Sequence, residues 1–349
     1  MKILHAADLH LDAPFTGRPE EQARLLKKEL LQMPEKLAQL CKSENCDLVL
    51  LSGDLFDGPA TRETVETLKN YLAEMAVPVF ISPGNHDFCG PDSPYLIGAW
   101  PENVHIFTKP VIESISLPEL DCKVYGAGFE AMDCPPLLAH FRAEGTENWH
   151  IGVFHGDPLQ KSAPYNPITQ AQVAASGLHY LALGHLHTIG QYIAGSTLCA
   201  WPGSIMGRGF DETGERGVYL VTLEETATAK FVPLNAPRFY DREVEVITTP
   251  EEAVRSALPP VGNLDFYRIT LVGECEPFAP LSFPEFPHLE LRDRTTPPTD
   301  LWACVGQDNL EGVYFGMLQE ALNTADRETA LLAAKISRRI LDGREVALP

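Results

Sequence analysis

Five short apolar segments each run directly into a cluster of Asp, Asn, His and Gly residues, and these clusters constrain the fold more than any other feature. The clusters are Asp8-Leu9-His10, Gly53–Asp57, Gly84–Asp87, His155–Asp157 and Gly184–His187. Because a short apolar run ended by glycine and polar residues is typical of a buried strand, we predict each cluster at the carboxyl end of a strand. Parallel strands would bring these ends to one edge, where α/β proteins bind their ligands.

The remaining pattern predicts strands that alternate with helices, which indicates an α/β layered fold. Apolar residues at helical spacing predict a helix over Thr61–Ala76, and Pro34 is placed to start another helix. From Ile189 to Val232 the pattern changes to β. The predicted strands before that segment are Ile3–Ala7, Asp47–Leu51, Val77–Ile81, Lys123–Tyr125, Trp149–Phe154 and His179–Leu183.

A domain boundary is predicted near Asn235-Ala236-Pro237, which divides the chain into residues 1–235 and 236–349. The second part is expected to form an α+β domain of its own, with a proline-rich stretch in its middle. Its predicted elements are a strand over Arg242–Ile247, a helix starting at Pro250, a strand over Phe266–Val272, and helices over Leu310–Leu322 and Glu328–Leu341.

The charge of the chain bounds the ways in which it could bind nucleic acid. Its 349 residues carry a formal net charge of -21, which argues against a protein that wraps nucleic acid by bulk electrostatics. A local positive site made by bound metal ions stays compatible with this charge.

Three features of the sequence indicate the cytoplasm and no membrane span. The apolar runs are shorter than the ~18–20 residues that a spanning helix needs. Asp8 falls where a signal peptide needs an apolar run. The 8 cysteines contain no C-x-x-C pair and are expected to be reduced thiols.

The residue types in the five clusters suit a metal site. Carboxylate oxygen, imidazole nitrogen and amide oxygen together fit Mn, Fe or Zn better than Ca or Mg. Residues two apart on an extended chain face the same side, so Asp8 with His10, and His185 with His187, could each present two ligands together. Each cluster alone could equally be a turn, a helix cap or an ordinary strand end. The succession of five clusters favours the metal site.

The series D-x-H, G-D-x-x-D, G-N-H-D, H and G-H-x-H resembles the calcineurin-like metallophosphoesterase superfamily over about residues 1–235. Five segments resemble more narrowly its SbcD-type DNA repair nuclease branch: Ala6–Asp12, Ser52–Asp57, Ser82–Asp87, Trp201–Ser204 and Glu212–Gly217. The resemblance implies an α/β fold, a layered β-sandwich flanked by helices, with a smaller C-terminal α+β capping domain that also binds a partner.

The resemblance also implies two divalent metal ions, Mn2+ in the first place with Fe or Zn as alternatives. His86 would face the substrate phosphate, and Asp57 would hydrogen-bond His86 and fix its tautomer. These two residues are the predicted catalytic pair. The implied metal ligands are Asp8, His10 and His187 for the first ion, Asn85, His155 and His185 for the second, and Asp54 as the bridge between them.

The leading hypothesis is a two-metal phosphodiesterase that acts on DNA, with exonuclease activity on duplex ends and endonuclease activity on single strands. The chain carries no G-x-x-x-x-G-K-[ST] segment, and the resemblance implies an SMC-like ATPase of the SbcC type as partner. A homodimer through the helices around Pro34 and Thr61 is also implied. Gly58 stands where phosphoprotein phosphatases carry Arg, which argues against that class.

Two other functions use the same residues. One is a phosphodiesterase that acts on small nucleotides or other phosphoesters. The other is a non-enzymatic scaffold that uses the site for metal-dependent binding.

Overall fold

The computed structural model describes residues 1–160, 162–260, 263–324 and 326–343. The chain forms two compact units. The first consists of Met1–Asp241, Val261–Arg268 and Phe283–Glu290, and the second of Arg242–Pro260, Ile269–Ser282 and Leu291–Pro349. The predicted division at residue 235 into two domains stays a prediction.

Strands and helices are numbered along the chain. The strands are β1 (Lys2–Ala6), β2 (Leu48–Leu51), β3 (Val79–Ile81), β4 (Val104–Ile106), β5 (Glu113–Leu117), β6 (Cys122–Gly126), β7 (Trp149–His155), β8 (Tyr180–Gly184), β9 (Gly190–Ala194), β10 (Thr197–Trp201), β11 (Gly217–Leu223), β12 (Ala227–Pro233), β13 (Phe239–Glu245), β14 (Phe266–Val272) and β15 (Leu289–Asp293). The α-helices are α1 (Glu20–Leu31), α2 (Met33–Glu44), α3 (Arg62–Met75), α4 (Gln170–Ala175), α5 (Pro250–Ala257), α6 (Leu310–Ala321) and α7 (Arg327–Leu341).

Two six-stranded sheets form the first unit. The first sheet has the order β12-β11-β1-β2-β3-β4, in which β1 to β4 are parallel. The second has the order β5-β6-β7-β8-β10-β9, in which β6, β7, β8 and β10 are parallel and both edge strands are antiparallel. A small sheet has the order β13-β14-β15.

Side-chain alternation along the strands builds a core on each face of the two sheets. Ile3 and Leu50 point from the first sheet toward Val124 and Ile151 of the second, in one shared cluster. The neighbouring side chains on the strands, such as Leu4, point to the opposite face and pack with the helices α1 to α3. The outer face of the second sheet packs with α4. This order of layers confirms the predicted β-sandwich flanked by helices.

Most predicted elements agree with the observed ones to within two or three residues, and five elements were not predicted: α1, β4, β5, α4 and β15. Two of them show the reason. Helix α1 buries only Leu26 and Leu30 among many charged residues, so its apolar periodicity is weak. Strand β15 lies in the proline-rich stretch and is only partly buried. In both cases packing, rather than local pattern, decides the structure.

The second unit has a small core of its own. Phe315 of α6 and Ala334 of α7 pack with Cys304. None of the helices in the described part of the chain combines the length and the apolarity needed to cross a membrane.

One buried polar group links the two sheets of the first unit. His5 of β1 is fully buried, with its Nδ1 2.7 Å from the hydroxyl of Tyr180 on β8 and its Nε2 2.7 Å from Oγ of Ser52. Burial lowers the pKa of His5 to about 3, so the ring is neutral at physiological pH. The contact is therefore a neutral hydrogen-bonded bridge across the sandwich interior.

We expect Tyr180→Phe to lower the free energy of unfolding by about 1–3 kcal/mol, because it leaves a buried imidazole nitrogen without a partner. Urea denaturation measures the change. Tyr219→Phe is the matched control: Tyr219 is also buried, but its hydroxyl lies 3.5 Å from the carbonyl of Gly190, so a change below about 0.5 kcal/mol is expected. Equal losses in the two variants would show that the bridge to His5 contributes no stability.

Candidate active site

The carboxyl ends of five strands from both sheets meet at one place. From the first sheet, the segments that follow β1, β2 and β3 carry Asp8, His10, Asp54, Asn85 and His86. From the second sheet, β7 ends at His155, and the segment after β8 carries His185 and His187. The predicted convergence therefore occurs across two sheets rather than along one edge of a single sheet.

The donor atoms of these residues lie close enough together to share metal ions. Three overlapping groups each have their atoms within 4.8 Å of one another. The other two predicted ligands join them through one oxygen: Oδ1 of Asn85 is 2.9 Å from Nε2 of His155 and 3.2 Å from Nδ1 of His185. The groups are Asp8–His10–His187, His10–Asp54–His86 and Asp8–Asp54–His155.

Three of the histidines are fixed by a contact on the ring nitrogen that faces away from the donor cluster. Nδ1 of His10 is 2.9 Å from Oδ1 of Asp57, and Nδ1 of His155 is 3.0 Å from the carbonyl of Ser52. Nδ1 of His187 is 2.7 Å from Oε1 of Glu212. Metal-binding histidines are commonly held in this way, because the outer acceptor fixes the tautomer and leaves Nε2 for the ion.

The position of Nε2 in two of these rings provides a direct test of whether the residues fit a cation. Nε2 of His10 and Nε2 of His187 are 3.1 Å apart. Since both rings donate from Nδ1 to a carboxylate, neutral rings would point two lone pairs at each other. A positive ion between them removes this repulsion, so the donor set fits a metal ion.

The buried carboxylates lead to the same conclusion. Asp8 and Asp54 are each only 1% exposed. Burial raises the pKa of Asp8 to about 7, against the opposing effect of His155 and His187. Burial also disfavours ionisation of Asp54, but the charge and hydrogen bond of His155 outweigh it and hold this pKa below the usual range. Divalent cations would supply the positive charge that two buried carboxylates require.

The backbone at the site is not the extended chain assumed in the sequence argument. Asp8, His10, Asp54 and His185 have φ angles of 50°, 48°, 50° and 97°, all in the left-handed region. Strand alternation is therefore not what places Asp8 beside His10, and that argument was wrong although the two residues do meet. Non-glycine residues in this region cost about 1–3 kcal/mol each and cluster at functional sites.

His86 lies at the solvent-facing side of the cluster, with 45% of its side chain exposed. Its amide donates to Oδ1 of Asp54 at 2.9 Å, and its Nδ1 is 3.2 Å from Oδ1 of Asp57. The contact with Asp57 raises the pKa of His86. The same oxygen of Asp57 also serves His10, a second role that the sequence did not predict.

Two residues of the site were not predicted. Glu212 is buried, and its carboxylate accepts from His187 and from the guanidinium of Arg208, whose Nη2 is 3.1 Å from Oε1. Nη1 of Arg208 is 3.4 Å from Oδ1 of Asp57. Arg208 thus connects the two carboxylates that orient the site histidines. Glu212 lies in a segment that carried the family resemblance, but only the contact with His187 shows its role.

The layered fold and the donor cluster together match the class of metal-dependent phosphoester hydrolases. The sequence pattern of the calcineurin-like phosphoesterase family matches residues 1–188, which is more than half of the chain. The chain belongs to this family, as the sequence motifs predicted.

Three known proteins are similar to this chain in sequence. An uncharacterized metallophosphoesterase, YhaO of Bacillus subtilis, is 34% identical to this chain. The aligned region covers 63% of this chain and 57% of YhaO. The SbcD subunit of the nuclease SbcCD from Staphylococcus epidermidis is 24% identical, over 71% of this chain and 72% of its own length. A probable exonuclease subunit 1 of Escherichia phage T5 is 26% identical, over 66% of this chain and 67% of its own.

Gly84→Ala should weaken metal binding by about 10–100-fold, the range known for disturbed ligand supports. A Cβ atom at this position would lie 2.3 Å from Oδ1 of Asp54 and 2.8 Å from the ring of His155, so both side chains would have to move. Calorimetric titration with Mn2+ measures the affinity. Gly316→Ala, where the nearest atom to a Cβ is 3.9 Å away, is the control and should bind normally. Unchanged Mn2+ affinity in Gly84→Ala would contradict the assignment of these ligands.

Asp57→Asn should lower the pKa of His86, because the amide no longer offers a negative charge to the protonated ring. The measurement is an NMR titration of the imidazole resonances in metal-free protein. His105 on β4, whose pKa is lowered by burial, packs against Phe80 and Phe107 and should titrate as in the wild type. A His86 pKa that stays the same would show that the Asp57 contact does not hold the proton on this ring.

Proposed function

We propose that the chain is a two-metal phosphodiesterase that cleaves DNA as the nuclease subunit of a repair complex in the cytoplasm. The observation that carries the proposal is the exposed ring of His86, held by Asp57 at the edge of an otherwise buried donor cluster. His86 is the most exposed of the clustered residues, so a phosphate that approaches from solvent would meet this ring.

The residues that would hold the ions are those that converge in the structure. Asp54 is central to the cluster, since it shares one donor group with His10 and another with Asp8 and His155. When bound, a pair of divalent cations lowers the pKa of water and stabilises negative charge on phosphate oxygens. Mn2+ is the proposed ion, with Fe or Zn as alternatives, because the donor set mixes oxygen and nitrogen.

The chain's own residues supply the rest of the chemistry. Asp57 accepts the Nδ1 proton of His86, which leaves Nε2 to donate a proton to a phosphate oxygen or to the leaving oxygen. Glu212 and Asp57 hold the His187 and His10 rings in place, and Arg208 connects the two carboxylates. These contacts preorganise the site before substrate binds.

DNA as substrate is supported by the relatives rather than by the geometry. Two of them are named as a nuclease subunit and a probable exonuclease subunit, at 24% and 26% identity. Their names also support a partner, which we propose to be an SMC-like ATPase because this chain lacks a phosphate-binding loop for ATP. A homodimer is part of the same proposal.

His86→Gln is expected to lower kcat for cleavage of labelled linear DNA by about 10²–10⁴-fold, because the glutamine amide cannot act as a general acid in place of the imidazole. Metal content, measured by mass spectrometry, should stay at the wild-type value, since His86 lies at the edge of the ligand set. The control is His140→Gln, which changes an exposed histidine away from the cluster and should leave cleavage intact.

Two results would replace the proposal. Wild-type turnover of bis-nitrophenyl phosphate or cyclic nucleotides without DNA cleavage would assign the chain to small phosphoesters. Bound metal without hydrolysis of any phosphoester would assign it to a binding scaffold.

A further inference from the structure

A cavity of about 810 Å³ opens directly beside the candidate active site. Asp57, Arg208 and Glu212 line both the site and this cavity. Most of the remaining walls come from the segment 13–19, from 209–211, and from Phe266, Arg268 and 288–290, all within the first unit. A substrate bound at His86 would therefore meet the cavity on the side of Asp57 and Arg208.

Arg18 is the arginine of this cavity that forms no ion pair among the described residues. Its Nε and Nη2 donate to the carbonyl of Arg208 at 3.3 and 3.1 Å, and its guanidinium lies 4.6 Å from the ring centroid of Phe239. Among the described residues no carboxylate lies within 4.0 Å of it. Burial and the nearby charge of Arg268 lower the pKa of Arg18, against the opposing effect of Asp211 and Glu290.

The other two arginines of the cavity are already paired. Arg268 lies between Asp241 at 3.3 Å and Glu290 at 3.0 Å, and Arg208 lies between Asp57 and Glu212. The exposed Asp211 and the half-buried Glu290 are the acidic neighbours of Arg18, but neither forms an ion pair with it. An anion that enters the cavity would therefore find its strongest partner in Arg18.

Flat side chains line the same cavity. The guanidinium of Arg268 lies 3.9 Å from the ring centroid of Phe210, and His288 stacks on Phe266 with centroids 4.4 Å apart and an interplanar angle of 11°. Phe210 and His288 are both partly exposed. Aromatic and guanidinium planes of this kind are the surfaces on which unpaired bases stack.

We propose that this cavity is the subsite for the nucleotide next to the scissile phosphodiester, with Arg18 binding the neighbouring phosphate and Phe210 and His288 contacting the base. The inference rests on the proposed function and deepens it, since it makes the substrate an oligonucleotide strand rather than an isolated phosphoester. The placement of Arg18 supports it, because Arg18 is bonded to the main chain of Arg208, whose side chain reaches the site. An arginine fork also matches the geometry of a phosphate.

The test compares three substrates that differ in what they place in the cavity. Bis-nitrophenyl phosphate has no second phosphate and no base, a thymidine dinucleotide has one phosphodiester, and a thymidine trinucleotide has two. Arg18→Gln should raise KM for the trinucleotide about 10- to 100-fold, as expected for a lost charge-assisted hydrogen bond, and leave its kcat within a small factor. Turnover of bis-nitrophenyl phosphate should not change.

Two further variants test whether the effect of Arg18→Gln comes from the arginine at this position or from a general loss of positive charge. Arg18→Lys keeps the charge but loses the planar fork, so its KM for the trinucleotide should lie between those of wild type and Arg18→Gln. Arg24→Gln removes an equal charge from the same part of the chain, where Arg24 forms an exposed pair with Glu20, and should behave as wild type.

Binding of a fluorescent trinucleotide to metal-free protein, followed by anisotropy, gives a readout that does not depend on cleavage. Equal affinity of wild type and Arg18→Gln would overturn the inference. So would an equal loss of turnover on all three substrates, which would give Arg18 a structural role. A different result would contradict the proposed function itself: hydrolysis of bis-nitrophenyl phosphate by the wild type with no cleavage of the dinucleotide or the trinucleotide.

Discussion

Two carboxylates buried at one point are the constraint on which the site depends. Asp8 and Asp54 lie at the junction of two sheets, where water cannot solvate them. Backbone amides offset part of the cost, since the amide of His185 donates to Asp8 and the amide of His86 donates to Asp54. Imidazole rings and bound cations must supply the remainder. The two sheets of the sandwich are arranged so that the strand ends that carry these partners meet at one place.

The strand-end residues could be predicted because their signal is local. An apolar run followed by Asp8 or by His155 is visible in a few residues, and the observed strands end where that pattern predicts. The supporting residues could not be predicted in this way. Glu212 and Arg208 act on the site through contacts with residues 21 to 151 positions away. Glu212 begins a segment that carried the family resemblance, but nothing in that segment indicates which side chain its carboxylate contacts.

The backbone conformation of the site residues could not be predicted from the sequence for a related reason. An alternating pattern indicates extended backbone, but the left-handed φ angles of Asp8 and His185 are imposed by tertiary contacts after the strand has ended. The division of the five strands between two sheets is equally invisible, since a buried strand has the same pattern in either sheet. The predicted residues therefore meet in the structure, but the backbone geometry and the two sheets that bring them together were not predicted.

The junction of the sheets has a consequence for the protein as a whole. Ligands on the first sheet begin at Asp8 and those on the second end at His187, so an ion held by both is a non-covalent crosslink across almost the entire family-matched segment. Any species that binds only the folded state stabilises it in proportion to the logarithm of its concentration. The supply of metal would then govern how long the folded enzyme persists as well as how fast it works.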